Sequence, residues 1–323
     1  VLPEVIDGYA TMGALASEDN LKRLDNTDTV DHRRASRPFG ENCGFTIAES
    51  TQYVVLMDDA LALELGADIH GAVSDVFINA DGYKKSISAP GPGNYITMAK
   101  AVAAATAIVG EESVRERSFI QAHGSSTPAN RVTESRIFDE VAKVFDINQW
   151  PVSAVKAYVG HSLAPASGEQ LVVSLGVFKY GLIPGIKTID KVADDVLNDR
   201  LNISTQDIDK GAGNVDVAFL NSKGFGGNNA TAAVLSPQVV ETMLAKRYSA
   251  DEITAYESRR EQVRANAIAY DASATQGNFD TIYRFGQDLI DENDIVMSKS
   301  EIQVPGFANS IDLSMVNRFE DMV

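Results

Sequence analysis

The sequence predicts a layered α/β fold built around a buried sheet, and three observations carry that prediction. Between residues 118 and 235, short apolar runs rich in β-branched and aromatic residues alternate with segments of helical periodicity. An alanine-rich segment, residues 95–109, supplies a small-residue helix suited to close packing against such a sheet. After Pro237 the composition turns charged and helical, which marks an extension to the core.

The elements follow in order. Residues 4–24 read as a helix with a turn, and 25–37 as a polar stretch with charges of both signs. Residues 53–57, Tyr-Val-Val-Leu-Met, read as a short buried strand, and Asp58 to Leu65 as a helix stopped by Gly66. Ile69 to Ile78 alternates like a strand, and residues 88–94 form a proline–glycine loop. Asn94 is expected to cap the helix that follows. Strands are predicted at 118–122, 152–155, 215–220 and 231–235, with helices at 132–145 and 168–180 between them. Residues 238–270 read as helix, with Glu257, Arg259, Arg260, Glu261 and Arg264 on exposed turns. Residues 271–323 hold apolar patches among acidic turns such as 288–294, and are expected to lie over the core or a partner. The expected domains are 1–110, 111–237 and an extension, 238–323.

The bulk numbers narrow the function class. A hydrophobic fraction of 44% and a charged fraction of 23% suit a globular enzyme and exclude a disordered chain. No apolar run approaches the roughly 20 residues of a spanning helix. The net charge of −17 opposes binding to nucleic acid or anionic membranes. Arg33, Arg34, Arg37 and Lys223 are the candidates for a local basic patch that receives a phosphate or an acidic carrier; taken singly, each also fits an ordinary solvated side chain. A single cysteine rules out an intrachain disulfide framework and fits a reducing, cytoplasmic setting. Val1-Leu-Pro-Glu carries no export signal and enters a helical pattern at once, so the sequence is expected to start inside a longer polypeptide.

Two of the four histidines stand in matching surroundings, Gln-Ala-His123-Gly-Ser-Ser-Thr-Pro and Lys156-Ala-Tyr-Val-Gly-His161-Ser-Leu. Each is expected to follow a strand, at the sheet edge where α/β proteins bind ligands. Alone, either histidine fits a hydrogen-bonded turn residue. Together they offer two N–H donors to one oxygen, the arrangement that stabilises an enolate beside a thioester. A third piece is Asn221-Ser-Lys-Gly-Phe225-Gly226-Gly227-Asn-Asn, whose glycines permit a tight reversal and a close backbone approach to a ligand. By itself it is equally a plain hairpin.

These strings resemble the C-terminal half of the β-ketoacyl-acyl-carrier-protein synthases, the thiolase-fold condensing enzymes. Ala35-Ser-Arg-Pro-Phe-Gly and Cys43-Gly-Phe-Thr-Ile-Ala-Glu-Ser resemble the arch after that family's nucleophile region, and the likeness runs over residues 1–236. The strings at 69–82 and 86–94, with the tail after 237, resemble the FabY-type branch that starts bacterial fatty-acid synthesis. The resemblance implies a layered α-β-α-β-α thiolase-like fold, incomplete in this chain, with a helical C-terminal extension. It implies decarboxylative Claisen condensation of a short acyl thioester, acetyl-coenzyme A for this branch, with malonyl-acyl-carrier-protein.

The implied roles are specific. His123 and His161 bind the malonyl thioester carbonyl, and Lys156 fixes the pair. Ser125 and Thr127 hold the phosphopantetheine arm. Phe225 gates the site, its N–H completing an oxyanion hole beside Gly226 and Gly227. No metal or resident cofactor is expected; coenzyme A and phosphopantetheine serve as substrate carriers. A homodimer and an acyl-carrier-protein partner are implied as well. The sequence departs from the family pattern in three places: Arg131 replaces an acid, Lys223 replaces an aromatic, and Gln170 holds the place of a glutamate that is shifted to Glu169.

The nucleophile is missing. The family uses a cysteine at a helix N-terminus, whereas Cys43 lies between Asn42 and Gly44 in the arch. The reactive cysteine is therefore expected upstream of Val1, on the rest of a truncated polypeptide, or on a separate partner chain. The remaining alternative is a non-catalytic scaffold subunit like the chain-length-factor partners of polyketide synthases, against which the intact histidine pair argues.

Overall fold

The computed structural model describes residues 1–84, 90–278, 285–287 and 289–322. Two compact units divide them, Val1–Arg264 and Ala265–Val323. Two short helices open the first unit, α1 (Pro3–Thr11) and α2 (Glu18–Asp25). Ser17 caps α2 by accepting the Asn20 N–H, and Asn26 ends it in the left-handed region. Helix α3 (Asp59–Leu65) is capped by Asp58 and stopped by Gly66, as the sequence predicts.

Strand β1 (Ala72–Ala80) precedes the alanine-rich α4 (Gly93–Val109) and the short α5 (Glu111–Glu116). Then come β2 (Ser118–Gln121), α6 (Pro128–Val144), β3 (Trp150–Ser153), the single turn α7 (Lys156–Val159) and α8 (Ala166–Tyr180). The short strands β4 (Leu182–Ile183), β5 (Leu201–Asn202) and β6 (Ile208–Asp209) lead to the long hairpin β7 (Val217–Gly224) and β8 (Asn228–Leu235). Helix α9 (Pro237–Arg247) starts from a Ser236 cap with proline at its first turn, and α10 (Ala250–Thr275) follows.

One sheet organises the unit, in the order β1-β8-β7-β2-β3-β5. Its outer hairpin is antiparallel, while β7, β2, β3 and β5 run parallel, so the C-terminal ends of β2, β3 and β7 lie side by side. Phe119, Ile120, Ile137, Phe138, Trp150, Phe178 and Phe219 are fully buried around it, each side chain contributing about 1.5–3 kcal/mol of hydrophobic stabilisation. Trp150 also satisfies its buried indole N–H on Ser118 Oγ at 2.9 Å. The second unit carries a small antiparallel sheet of β9 (Val296–Met297), β10 (Glu301–Gln303) and β11 (Ile311–Asp312).

Two sequence expectations need correction here. Residues 53–57 are not a buried strand: they join no sheet, and Tyr53, Val55 and Leu56 are 93%, 82% and 78% exposed. A short β-branched apolar run favours extended backbone, but a strand also needs a neighbour to bond with, and none of the described residues offers one. Asn94 is not a cap. It lies within the first turn of α4, fully buried, and its side chain turns inward to Thr97 and Asn221. Residues 88 and 89 of the proline–glycine loop, residues 86 and 87 of the string at 86–94, and Asp288 of the acidic turn lie outside the described residues.

Candidate active site

The parallel strands deliver the histidines to one place. His123 lies two residues beyond the end of β2, and its ring centroid stands 5.2 Å from that of His161, edge to face. His161 does not directly follow a strand as expected; the turn α7 intervenes. Its backbone is instead bonded to the arch segment, donating to Thr46 O at 2.7 Å and accepting from Ala48 N at 3.0 Å. Phe45 packs on its ring at 5.3 Å. Gly124 must turn here with φ +53°, and a Cβ would stand 2.8 Å from Ala154 Cβ, so glycine is required.

The hydrogen bonds assign the tautomers. His123 Nδ1 accepts the Lys223 backbone N–H at 3.3 Å, and His161 Nδ1 accepts the Leu163 N–H at 3.1 Å. With each Nδ1 held as an acceptor, each neutral ring carries its proton on Nε2. Burial, with the nearby Lys156 charge, holds His123 well below the usual imidazole range and pushes His161 down to about 3. Both rings are therefore neutral donors.

Beneath them lies a buried polar lattice. Glu134 of α6 accepts the His123 and Gly124 N–H groups at 2.6 and 2.9 Å, together with the amides of Asn130 and Asn221. Lys156 donates from Nζ to His123 O at 2.6 Å, and its own burial lowers it to about 8 against the pull of Glu134 and Glu169. Gln170 sets Nε2 among the carbonyls of Gln121, Ala122 and Asn221 at 3.1, 2.8 and 3.0 Å. A glutamate there would turn acceptors toward acceptors. Arg131, in place of an acid, forms a two-pronged pair with Asp195 and reaches Gly40 O and Asn42 Oδ1, tying α6 to the arch.

The remaining predicted residues fall nearby. Ser125 and Thr127 are hydrogen-bonded to each other at 3.1 Å, and the turn between them is braced by Arg37 N on Ser126 Oγ. Phe225 sits at the tip of the β7–β8 turn, 52% exposed, with its ring tilted on Tyr9 at 5.6 Å. Gly226 and Gly227 take φ +85° and +89°; a Cβ on Gly227 would stand 2.6 Å from Asp81 Oδ2. The basic-patch candidates are held as follows. Arg33, Arg34 and Arg37 are each paired, with Asp31, Asp190 and Asp25, and Lys223 is half-buried inside the site.

A family model described as the beta-ketoacyl synthase C-terminal domain matches residues 70–190, which include both histidines. The chain is 63% identical over 323 residues to the beta-ketoacyl-[acyl-carrier-protein] synthase FabY of Pseudomonas aeruginosa, covering 100% of this chain and 51% of that protein. The crystal structure of the noncanonical ketosynthase FabY from P. aeruginosa superposes with a TM-score of 0.94, over 100% of this chain and 50% of that one. The chain belongs to the β-ketoacyl synthase family. A Synechocystis 3-oxoacyl-[acyl-carrier-protein] synthase 2 is 34% identical over 244 residues, covering 72% of this chain and 51% of that protein. The fold is thus thiolase-like, and the chain spans about half the length of the curated relatives it matches.

Within this β-ketoacyl synthase fold, sequence reading missed Glu134, Asn94 and Asn221. An acid eleven residues after His123, on one turn of a helix opened by proline, was the available signal for Glu134. The buried histidines also set an acid limit on stability. The unfolded chain takes up a proton on each near pH 6.5, which the folded state refuses because their folded values are depressed. Stability is therefore full above about pH 6.5 and falls as pH drops from there toward 4. The paired carboxylates Asp25 and Asp195, also depressed, add their loss only below about pH 4. Urea unfolding at pH 7.5, 5.5 and 4.5 should show the midpoint falling in the upper window, with a shallower fall in His161→Gln; equal slopes in the two proteins would refute the assignment.

Proposed function

We propose that this chain supplies the decarboxylation half of a β-ketoacyl-acyl-carrier-protein synthase. The carrying observation is the pair of neutral imidazoles, each with Nδ1 occupied by a backbone N–H and Nε2–H left to donate. In this reading a malonyl thioester, carried by the phosphopantetheine arm of an acyl-carrier protein, lies with its carbonyl oxygen between the two Nε2 atoms. The carboxylate leaves as CO2, and its electron pair becomes an enolate whose oxygen the two donors stabilise. The enolate carbon attacks an acyl-enzyme thioester; the new C–C bond forms, the C–S bond breaks and the thiolate departs. Ser125 and Thr127 bind the arm, and Phe225 gates the entry.

The acyl group is carried by a cysteine outside these residues. Cys43 is unsuited: burial pushes its thiol up, and the charges that act on it are Arg37, Asp25 and Arg23, not the histidines. The exposed apolar segment 53–57 fits the same picture, as a strand whose sheet is completed by that further segment or chain. The short acyl donor, acetyl-coenzyme A, the homodimer and a cytoplasmic location belong to the same proposal, by likeness to the FabY-type relative. Among the described residues no helix is long and apolar enough to cross a membrane.

The test is direct. The assembled enzyme containing this chain, given acetyl-coenzyme A and malonyl-acyl-carrier protein, should release CO2 and form acetoacetyl-acyl-carrier protein. Assembly without CO2 release or product would leave the scaffold-subunit reading instead.

A further inference from the structure

Lys223 occupies a place where the family pattern has an aromatic ring, and the condensing chemistry above makes no use of it. It pairs across the hairpin with Asn229, two residues before Phe225. Its backbone N–H is the donor that fixes His123 Nδ1. Its ammonium is held inside by two amide oxygens, Asn94 Oδ1 at 3.3 Å and Asn229 Oδ1 at 3.4 Å. Among the described residues no carboxylate lies within ion-pair distance of it, so its charge is solvated by neutral dipoles and its field reaches outward.

The two amides are themselves fixed. Asn94 exchanges hydrogen bonds with Asn221 in both directions, at 2.6 and 3.2 Å, and Asn221 donates on to Glu134 beneath His123. Asn229 donates to Asp81 Oδ1 and Gly227 O. The ammonium therefore cannot swing toward a carboxylate without breaking a lattice that is otherwise satisfied. Resting on the condensing reading, we infer that Lys223 is a positioning residue of the histidine pair: its main chain selects the His123 tautomer, and its held charge adds to the field that stabilises an anionic oxygen at Nε2.

The groups facing His123 are few. Lys156 lies on its carbonyl, His161 at its ring edge, Glu134 on its N–H and Lys223 on its Nδ1 side. Lys223 in turn feels Glu134, Asp81 and Lys84. A Coulomb effect of Lys223 on His123 adds to those of Lys156 and His161, all in the direction that keeps the ring neutral. Protonation at Nδ1 would set an N–H against the Lys223 N–H, so the backbone bond and the charge work the same way.

The experiment uses the full enzyme with Lys223→Met, Lys223→Gln and Lys223→Arg. The His123 imidazole is titrated by NMR, and malonyl-thioester decarboxylation is followed against pH. Both neutral variants should raise the pH at which His123 titrates, move the acid limb of kcat upward and lower kcat about ten-fold with KM little changed. Arginine should restore the titration and the limb. If one neutral variant fails to fold, the other carries the test. A His123 titration and acid limb unmoved in the neutral variants would overturn the inference and leave Lys223 a hairpin brace. A parent enzyme that decarboxylates nothing would overturn the condensing reading alone, because the His123 titration still decides the role of Lys223.

Discussion

Replacing His161 with alanine in the assembled enzyme is expected to lower malonyl-thioester decarboxylation by about a hundred- to a thousand-fold, the usual cost of removing one oxyanion donor. The reasoning is geometric. His161 has no partner role in the lattice under His123; its side chain is bonded at Nδ1 to Leu163 N and packed on Phe45 and on His123. Alanine keeps the backbone bonds to Thr46 and Ala48 and deletes only the ring. Thermal stability should fall modestly while turnover collapses. CO2 release within a few-fold of the parent would remove His161 from the chemistry.

Glu134→Ala should be the most damaging single change to stability, costing roughly 3–5 kcal/mol, the range for breaking a buried charged network. Its four partners, the N–H groups of His123 and Gly124 and the amides of Asn130 and Asn221, are all donors. Alanine strands each of them, and it removes the leading charge that favours the ammonium of buried Lys156. Glutamine rescues the site only in part: its Oε1 still accepts, but its NH2 would face donors. Calorimetry should place the Glu134→Ala unfolding midpoint about 10 °C below the parent, with Glu134→Gln between them. A loss below 1 kcal/mol in Glu134→Ala would mean that water or a rearranged Asn221 replaces the carboxylate.

How much of this was legible in the residues depends on the range of the physics involved. His123, His161, Lys156 and the glycine turn stand in short strings whose turn chemistry is local, and those strings carried both the fold and the family. Helix ends were legible for the same reason, as with Asp58 and Gly66 around α3. The polar lattice was not. Asn94 looks like a cap from its neighbours and becomes a buried bridge only because Asn221 arrives from 127 residues away. Residues 53–57 failed in the opposite sense: a β-branched apolar run favours extended backbone, but pairing is a property of two segments, and none of the described residues pairs with this one. Lys223 looked like a surface cation because burial of its charge depends on Asn94, 129 residues away, as well as on Asn229 across the hairpin.

The span of those amide bonds bears on folding order. Closing the Asn94–Asn221 exchange and the Lys223–Asn94 bond joins segments 127 and 129 residues apart, contacts of high sequence separation that are entropically expensive and form late. Half-folded chains, whether nascent or opening under stress, would likewise hold His123 without its tautomer lock, the Lys223 N–H that arrives from 100 residues away. Under the proposed condensing chemistry, such species would lack a fixed donor at Nε2, and decarboxylation would wait until these last contacts close.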